Sequence, residues 1–278
     1  MAKVVCIHGI SQEYESRETL LKEWTPALCG GVSNAGGQLS EADVDMAFYG
    51  EMFRPAGETK GGFQIPPFRP GDLSDPFEQE LLANIFDSLE TSTTSEDITK
   101  GNRTVAYMLQ VLANTPYFGR KLQNLVIWYL KQVHRYVSEP NVRQSAQRSL
   151  LKTIAPDTRV VVAHSLGSVV AYEVLCERTE LSVDTLLTIG SPLGLPALLP
   201  RLLPPADKGG KWPGQVRKWV NIADATDVVA LAKRLSPIYG NRVVGHLVNN
   251  GATMHDAKPY LTARETGDAV IKGLSIPV

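Results

Sequence analysis

The stretch Val160-Val-Val-Ala-His164-Ser165-Leu166-Gly167-Ser168-Val-Val-Ala171 decides how the rest of the chain is read. A β-branched apolar run, Arg159–Ala163, passes straight into a small-x-Ser-x-Gly turn, and a helical pattern over Ser168–Arg178 follows at once. A serine caught between strand and helix in this way sits on a sharply turned backbone at the carboxyl end of the strand. Such a turn leaves little room two residues before and two after the serine. Those residues are Ala163 and Gly167. Glycine is usual at the first position, so Ala163 departs from the pattern by one methyl group. A buried turn serine is the ordinary alternative; the strand before it and the helix after it favour a nucleophile at Ser165.

Outward from this turn, five further runs read as buried parallel strands, because they are continuously apolar rather than alternating: Lys3–Ile7, Val44–Tyr49, Thr185–Ile189, Lys218–Ile222 and Val243–Val248. Helical patterns lie between or after most of them, at Thr19–Leu28, Val228–Leu235 and Pro259–Lys272. Strands alternating with helices predict an α/β fold, with a mostly parallel sheet of about six strands covered on both faces. One connection is far longer than a strand–helix loop requires. Residues 54–150 open with a Pro/Gly-rich segment, Arg54–Asp75, that reads as an extended loop. Helical patterns follow at Phe77–Leu89, Asn102–Ala113, Arg120–Val137 and Asn141–Ile154. This helical insertion within a single 1–278 domain either covers the sheet or caps a site. After the strand at Thr185–Ile189, the segment SPLGLPALLPRLLPPADKGGKWPG is too rich in proline for long regular structure. It reads as a packed loop or as the lining of an apolar pocket.

A serine hydroxyl needs a base to take its proton and N–H donors to hold the oxyanion that forms. One donor is the Leu166 N–H at the positive end of the following helix. The other is assigned to Ile10, because the first strand ends at Ile7-His8-Gly9-Ile10 and its glycine lets the chain turn towards the site. Five histidines compete for the base. His8 belongs to that turn, His134 to the insertion, and His246 to the last strand, while His164 is locked beside the serine. His255, in the loop Asn249-Asn-Gly-Ala-Thr-Met-His255-Asp after the last strand, stands at the carboxyl edge of the sheet, where α/β sites gather. The acid that orients it is sought in Trp219-Val-Asn-Ile-Ala-Asp224-Ala-Thr-Asp227. Asp227 is preferred and Asp224 is the alternative; either aspartate can instead cap a helix.

The bulk composition narrows the partners. Net charge is −1, so no global field attracts nucleic acid or an anionic membrane. Cys6, Cys29 and Cys176 have neither metal nor disulfide spacing, and no run is long and apolar enough to span a bilayer. A cytoplasmic protein is expected, with docking of a partner protein or a membrane surface through the insertion as a further reading.

The opening VVCIHGI, the strand VDMAFYGEMF, the turn VVVAHSLGSVVAYEVL, and LLTIGSPLGLP, KWVNIADATDVVA and MHDAKPYL together resemble an α/β-hydrolase of the lipase/esterase group. They are similar in particular to bacterial relatives of the GPI inositol-deacylase and to lipase-like serine esterases. The insertion and the proline-rich stretch match poorly. The resemblance implies an acyl-enzyme mechanism with Ser165, Asp227 and His255 as nucleophile, acid and base, and it supports Asp227 because the family's acid precedes a Val-Val or Pro-Val pair. It also implies a trimmed sheet, since His-Gly arrives almost at the N-terminus. The expectation is a hydrolase of carboxylic esters, apolar or lipid acyl esters favoured, with no metal or organic cofactor. A thioesterase, amidase or acyltransferase with the same triad is the nearest rival. A non-catalytic receptor on the same fold is the rival from another class, and it predicts a broken triad.

Overall fold

A computed structural model describes residues 2–54, 68–90, 104–114, 121–227, 229–230 and 232–275. Among the described residues, six parallel strands form one sheet: β1 (Val4–Ile7), β2 (Val44–Ala47), β3 (Val160–His164), β4 (Thr185–Ile189), β5 (Lys218–Asp224) and β6 (Val243–Val248). Their spatial order is β2-β1-β3-β4-β5-β6. The chain therefore runs from β1 outward to β2 and then crosses back to β3 on the other side. The carboxyl ends of β1 and β3 flank the point where the direction of winding reverses, which is where open α/β sheets form crevices.

The apolar strands explain themselves by which face each side chain meets. Val5, Ile7, Val161 and Ala163 point into one core, and Val4, Cys6, Val160 and Val162 into another on the opposite face. Successive side chains alternate across a strand, so a strand covered on both faces has no polar positions to offer. Each fully buried aliphatic side chain contributes about 1.5–3 kcal/mol. One face is covered by α1 (Arg17–Asn34), α8 (Ala257–Thr262) and α9 (Arg264–Leu274), through Leu20, Trp24 and Leu28 of α1 against Tyr260, Leu261 and Val270. Ser16 starts α1, its hydroxyl accepting the Thr19 N–H at 3.1 Å.

The other face carries α6 (Leu166–Glu177) and the helices between β2 and β3: α2 (Pro76–Glu90), α3 (Val105–Asn114), α4 (Lys121–Ser138) and α5 (Pro140–Thr153). Proline leads both α2 and α5, where the missing N–H has no helical acceptor to lose. Helix α5 touches both β2 and α6 and is sheet cover, while α2, α3 and α4 pack mainly on one another. The extended segment expected over Arg54–Asp75 lies mostly outside the described residues; its described end forms a short 3₁₀ turn at Pro70–Asp72. No helix among the described residues is long and apolar enough to cross a membrane.

Three expectations need correction. No helix forms over the described residues of Val228–Leu235; only α7 (Ser236–Tyr239) follows. Asp227 Oδ1 accepts the Val229 and Ala230 N–H groups at 2.9 and 3.3 Å, as a helix N-cap would. The Asp227 carbonyl, however, accepts Lys233 Nζ at 2.5 Å and the Lys233 carbonyl accepts Asn221 Nδ2 at 3.3 Å, contacts that tie this segment to its side chains and to β5. The helix expected over Pro259–Lys272 is two helices, broken at the extended Ala263 (φ −61°, ψ 140°). Strand β6 is not buried on both faces. It is the edge of the sheet, with Val244 and Leu247 42% and 59% exposed. The proline-rich segment has only a 3₁₀ turn at Leu199–Arg201, and Leu193, Leu195, Leu198 and Leu202 are buried in the core.

Candidate active site

Parallel register sets the carboxyl ends of the central strands level. Ile7 pairs with Ala163, His164 with Ile189, and Ile189 with Ile222. The loops after β1, β3, β4 and β5 consequently meet at one edge, and Ser165 lies at the centre of that edge. Its backbone has φ 51° and ψ −127°, a left-handed conformation that a side-chain-bearing residue adopts at a cost of about 1–3 kcal/mol. The turn is fastened on several sides. Ser165 N–H donates to Ile189 O at 3.1 Å, Ser168 N–H to Ser165 O at 2.9 Å, and the Ser168 hydroxyl to Ser165 O at 2.6 Å.

The small residues of the motif have measurable reasons. A Cβ on Gly167 would lie 2.4 Å from His8 O and 2.7 Å from Ile7 O, so the helix start could not approach β1. A Cβ on Gly9 would lie 2.6 Å from Ser165 Cβ. The two loops on either side of the winding reversal thus touch through glycine, and the loop after β1 passes directly against the serine.

From Ser165 an unbroken chain of hydrogen bonds leads into the interior. Ser165 Oγ is 2.9 Å from His255 Nε2, and His255 Nδ1 is 2.8 Å from Asp227 Oδ2. His255 is 26% exposed at its side chain and Asp227 is buried. Burial alone would raise the Asp227 carboxyl, but the facing His255, the Tyr260 hydroxyl and the Val229 N–H outweigh it and hold the group at about 2. The carboxylate is therefore charged at neutral pH. Oδ1 is occupied by the two backbone donors, which aims Oδ2 at the histidine.

Asp224 has a different fate. Its carboxylate accepts Thr226 N–H at 2.7 Å, the Thr226 hydroxyl at 2.6 Å and Asn250 N–H, tying the end of β5 to the loop that carries His255. Of the two aspartates, only Asp227 contacts His255. Leu166 N–H is the first of α6 and has no helical carbonyl behind it. Ile10 follows Gly9, the residue against Ser165. His8 is buried, donating from Nδ1 to Gly9 O at 2.6 Å and accepting Tyr49 N–H at Nε2, 3.0 Å away. His164 donates from Nε2 to His255 O at 3.0 Å and so braces the loop that carries His255. Among the described residues no group of His, Cys, Asp and Glu side chains is arranged to hold a metal ion.

Sequence reasoning missed Tyr260. Its hydroxyl donates to Asp227 Oδ2 at 2.8 Å and accepts Asp224 N–H at 2.7 Å, joining both aspartates. The only signal was its place five residues after His255, and the role exists only once α8 folds back beneath the site. Tyr260→Phe strands a buried N–H and removes one donor from Asp227. We expect a loss of about 1–3 kcal/mol in urea denaturation. Gly190, at φ 56°, was also missed; a Cβ there would sit 3.2 Å from Asp227 Oδ2 and 3.3 Å from His255 Nδ1. The hydroxyl of Tyr129, on α4, is buried without a hydrogen-bond partner and lies within electrostatic range of Asp227.

The two buried histidines carry a pH prediction. Burial lowers His8 to about 4 and His164 to about 3. Unfolded histidine binds its proton near 6.5, so acid favours the unfolded chain. The stability due to these two neutral rings is complete above pH 6.5 and is lost as pH falls towards 4 and then 3. Each histidine contributes up to about 1.4 kcal/mol per pH unit in that window, or roughly 4 kcal/mol for the pair between pH 7 and pH 5. Urea midpoints measured from pH 7.5 to 5 should fall steeply, and a flat profile would contradict the buried, uncharged state of both rings. The chain matches no family model, no curated protein and no solved structure.

Proposed function

We propose that this chain is a serine hydrolase of the α/β-hydrolase fold that cleaves carboxylic esters through an acyl-enzyme. The observation that carries the reading is the continuous Ser165–His255–Asp227 contact at a strained strand-to-helix turn. A buried turn serine has no need of a histidine at 2.9 Å backed by a buried, charged carboxylate, and a receptor on this fold would have no use for one.

The steps follow from the donors and acceptors present. His255 Nδ1–H donates to Asp227, which leaves Nε2 unprotonated and able to accept the Ser165 proton. As Oγ attacks the ester carbonyl, the proton moves to Nε2 and the imidazolium is stabilised by Asp227. Negative charge gathers on the carbonyl oxygen, where the Leu166 and Ile10 N–H groups receive it. The proton on Nε2 then passes to the departing alkoxide, and the acyl group stays on Oγ. Water attacks that ester with His255 again as base, releasing the acid and restoring the serine. Apolar acyl groups are favoured on the strength of the leucine-rich segment after β4 and the apolar helices of the insertion, which share the core on the face of the sheet that carries α6.

The test is labelling by a fluorophosphonate, which reacts with an activated serine and spares ordinary hydroxyls. We expect a single modified peptide containing Ser165, and turnover of p-nitrophenyl esters that rises from acetyl to medium-chain acyl groups. Thioester and amide substrates in the same panel separate the rival leaving groups. A folded wild-type protein that fails to label would refute the reading.

A further inference from the structure

Beyond the three residues of the hydrogen-bonded chain, the loop that bears the second oxyanion donor is held by the helical insertion. Gln132, on α4, is fully buried and lies 121 positions from the residue it grips. Its Oε1 accepts the Ser11 N–H at 3.0 Å, and its Nε2 donates to Glu13 Oε2 at 3.1 Å. Glu13 is likewise buried, and its other oxygen accepts Trp128 Nε1–H from the same helix at 2.9 Å. The Glu13 carbonyl accepts Arg54 Nε and Nη2 at 3.1 and 2.9 Å. Ser11 itself has φ 61°, a conformation that costs energy for serine and persists only under such restraint.

The consequence for Ile10 comes from peptide planarity. In a trans peptide the C=O and the N–H point in opposite directions, so fixing one fixes the other. His8 Nδ1–H holds Gly9 O and thereby sets the plane that carries the Ile10 N–H, turning that N–H away from His8. Gln132 holds the next plane by its N–H, and Gln12 Nε2 donates to the Ile10 carbonyl of that same plane at 3.3 Å. Two consecutive peptide planes beside the serine are locked, one from within the loop and one from α4.

The geometry points to Gln132, backed by Glu13, as a positioning residue that aims the Ile10 N–H at the oxyanion, which makes α4 of the insertion an integral part of the catalytic centre. This inference rests on the serine hydrolase reading. Its substance is that an oxygen acceptor at position 132 does the holding, not the mere filling of space. Gln132 touches no reacting atom, so its effect belongs to the transition state and not to ester binding.

The experiment compares wild type, Q132M, E13Q and the double exchange E13Q/Q132E, using p-nitrophenyl butyrate. Rates are expressed per active site titrated with fluorophosphonate, so unfolded molecules drop out. Q132M fills the space but offers the Ser11 N–H no oxygen acceptor. It is expected to lower kcat about 30-fold with KM within twofold, and to weaken a boronic acid mimic of the tetrahedral state by a similar factor. E13Q sets two donors against one another and is expected to fall in between. In the double exchange the carboxylate and amide trade places. Ser11 N–H still finds an oxygen, the bond between positions 13 and 132 reverses direction, and Trp128 still finds an acceptor. It is expected to return kcat to within about threefold of wild type. A Q132M rate per active site within threefold of wild type, or a loss confined to KM, would overturn the inference while leaving Ser165 labelling intact. Wild type that does not label at Ser165 overturns the hydrolase reading and this inference with it.

Discussion

Replacing Ser165 by alanine is expected to abolish fluorophosphonate labelling and to lower ester turnover by on the order of 10⁵-fold, while the thermal midpoint stays within a few degrees of wild type. Stability is spared because alanine at φ 51° is strained as serine is, and the Ser165 backbone bonds to Ile189 and Ser168 do not involve the hydroxyl. Activity is lost because the remaining elements act on the nucleophile, and without Oγ they have nothing to activate. A residual rate over water is expected from oxyanion donors that still receive the carbonyl oxygen. The check is steady-state kinetics on freshly purified variant together with a melting curve. A variant that keeps more than a hundredth of wild-type turnover would place the nucleophile elsewhere.

The second large effect belongs to Asp227→Asn, and its direction follows from how the carboxylate is held. Oδ1 accepts the Val229 and Ala230 N–H groups, so the asparagine carbonyl oxygen is drawn to that side. The amide NH₂ is then left facing His255 Nδ1. Two donors cannot face one another, and the imidazole responds by taking its proton on Nε2, which points at Ser165. In that tautomer the histidine donates to the serine and cannot accept its proton. A fall in kcat of about 10⁴-fold is expected, with substrate affinity nearly unchanged and a loss of about 1–3 kcal/mol in stability, because the amide also faces the Tyr260 hydroxyl donor. Asp224→Asn, by contrast, loosens the tie between β5 and Asn250. It should act mainly on stability, which separates the two aspartates in one pair of measurements.

How much of this was legible in the sequence depends on whether the information was local. Strands β1 and β3 could be read because a strand covered on both faces shows an uninterrupted apolar run. The same logic misled at β6, whose Val-Val-Gly-His-Leu-Val composition does not reveal that it is the last strand with no neighbour beyond. The helix expected over Val228–Leu235 is absent from its described residues although Asp227 caps their first N–H groups; the Asp227 and Lys233 carbonyls are taken by Lys233 Nζ and Asn221 Nδ2, contacts the sequence does not reveal. That Ser165, Asp227 and His255 would meet was legible because each follows a strand end, and parallel register brings all strand ends to one edge. Tyr260, Gln132 and Glu13 gave no such sign. Their roles depend on contacts across 33 to 121 positions, and an ordinary tyrosine, glutamine or glutamate on an apolar helix or loop looks like solvent cover.

The way the first and last helices share one face of the sheet bears on how the molecule comes into being. Leu20, Trp24 and Leu28 of α1 leave the ribosome more than two hundred residues before the side chains that cover them, Tyr260, Leu261 and Val270. Strand β1 likewise waits for Val160–Ala163 before its second neighbour exists. Throughout that interval the growing chain carries an uncovered apolar surface and an unsatisfied strand edge, a state that invites association with other chains. Closure of the sheet is accordingly a late, long-range event, and His255 arrives with it. The Ser165–His255 contact therefore forms only when β6 and the helices after it have docked, in the same step that buries the apolar face of α1.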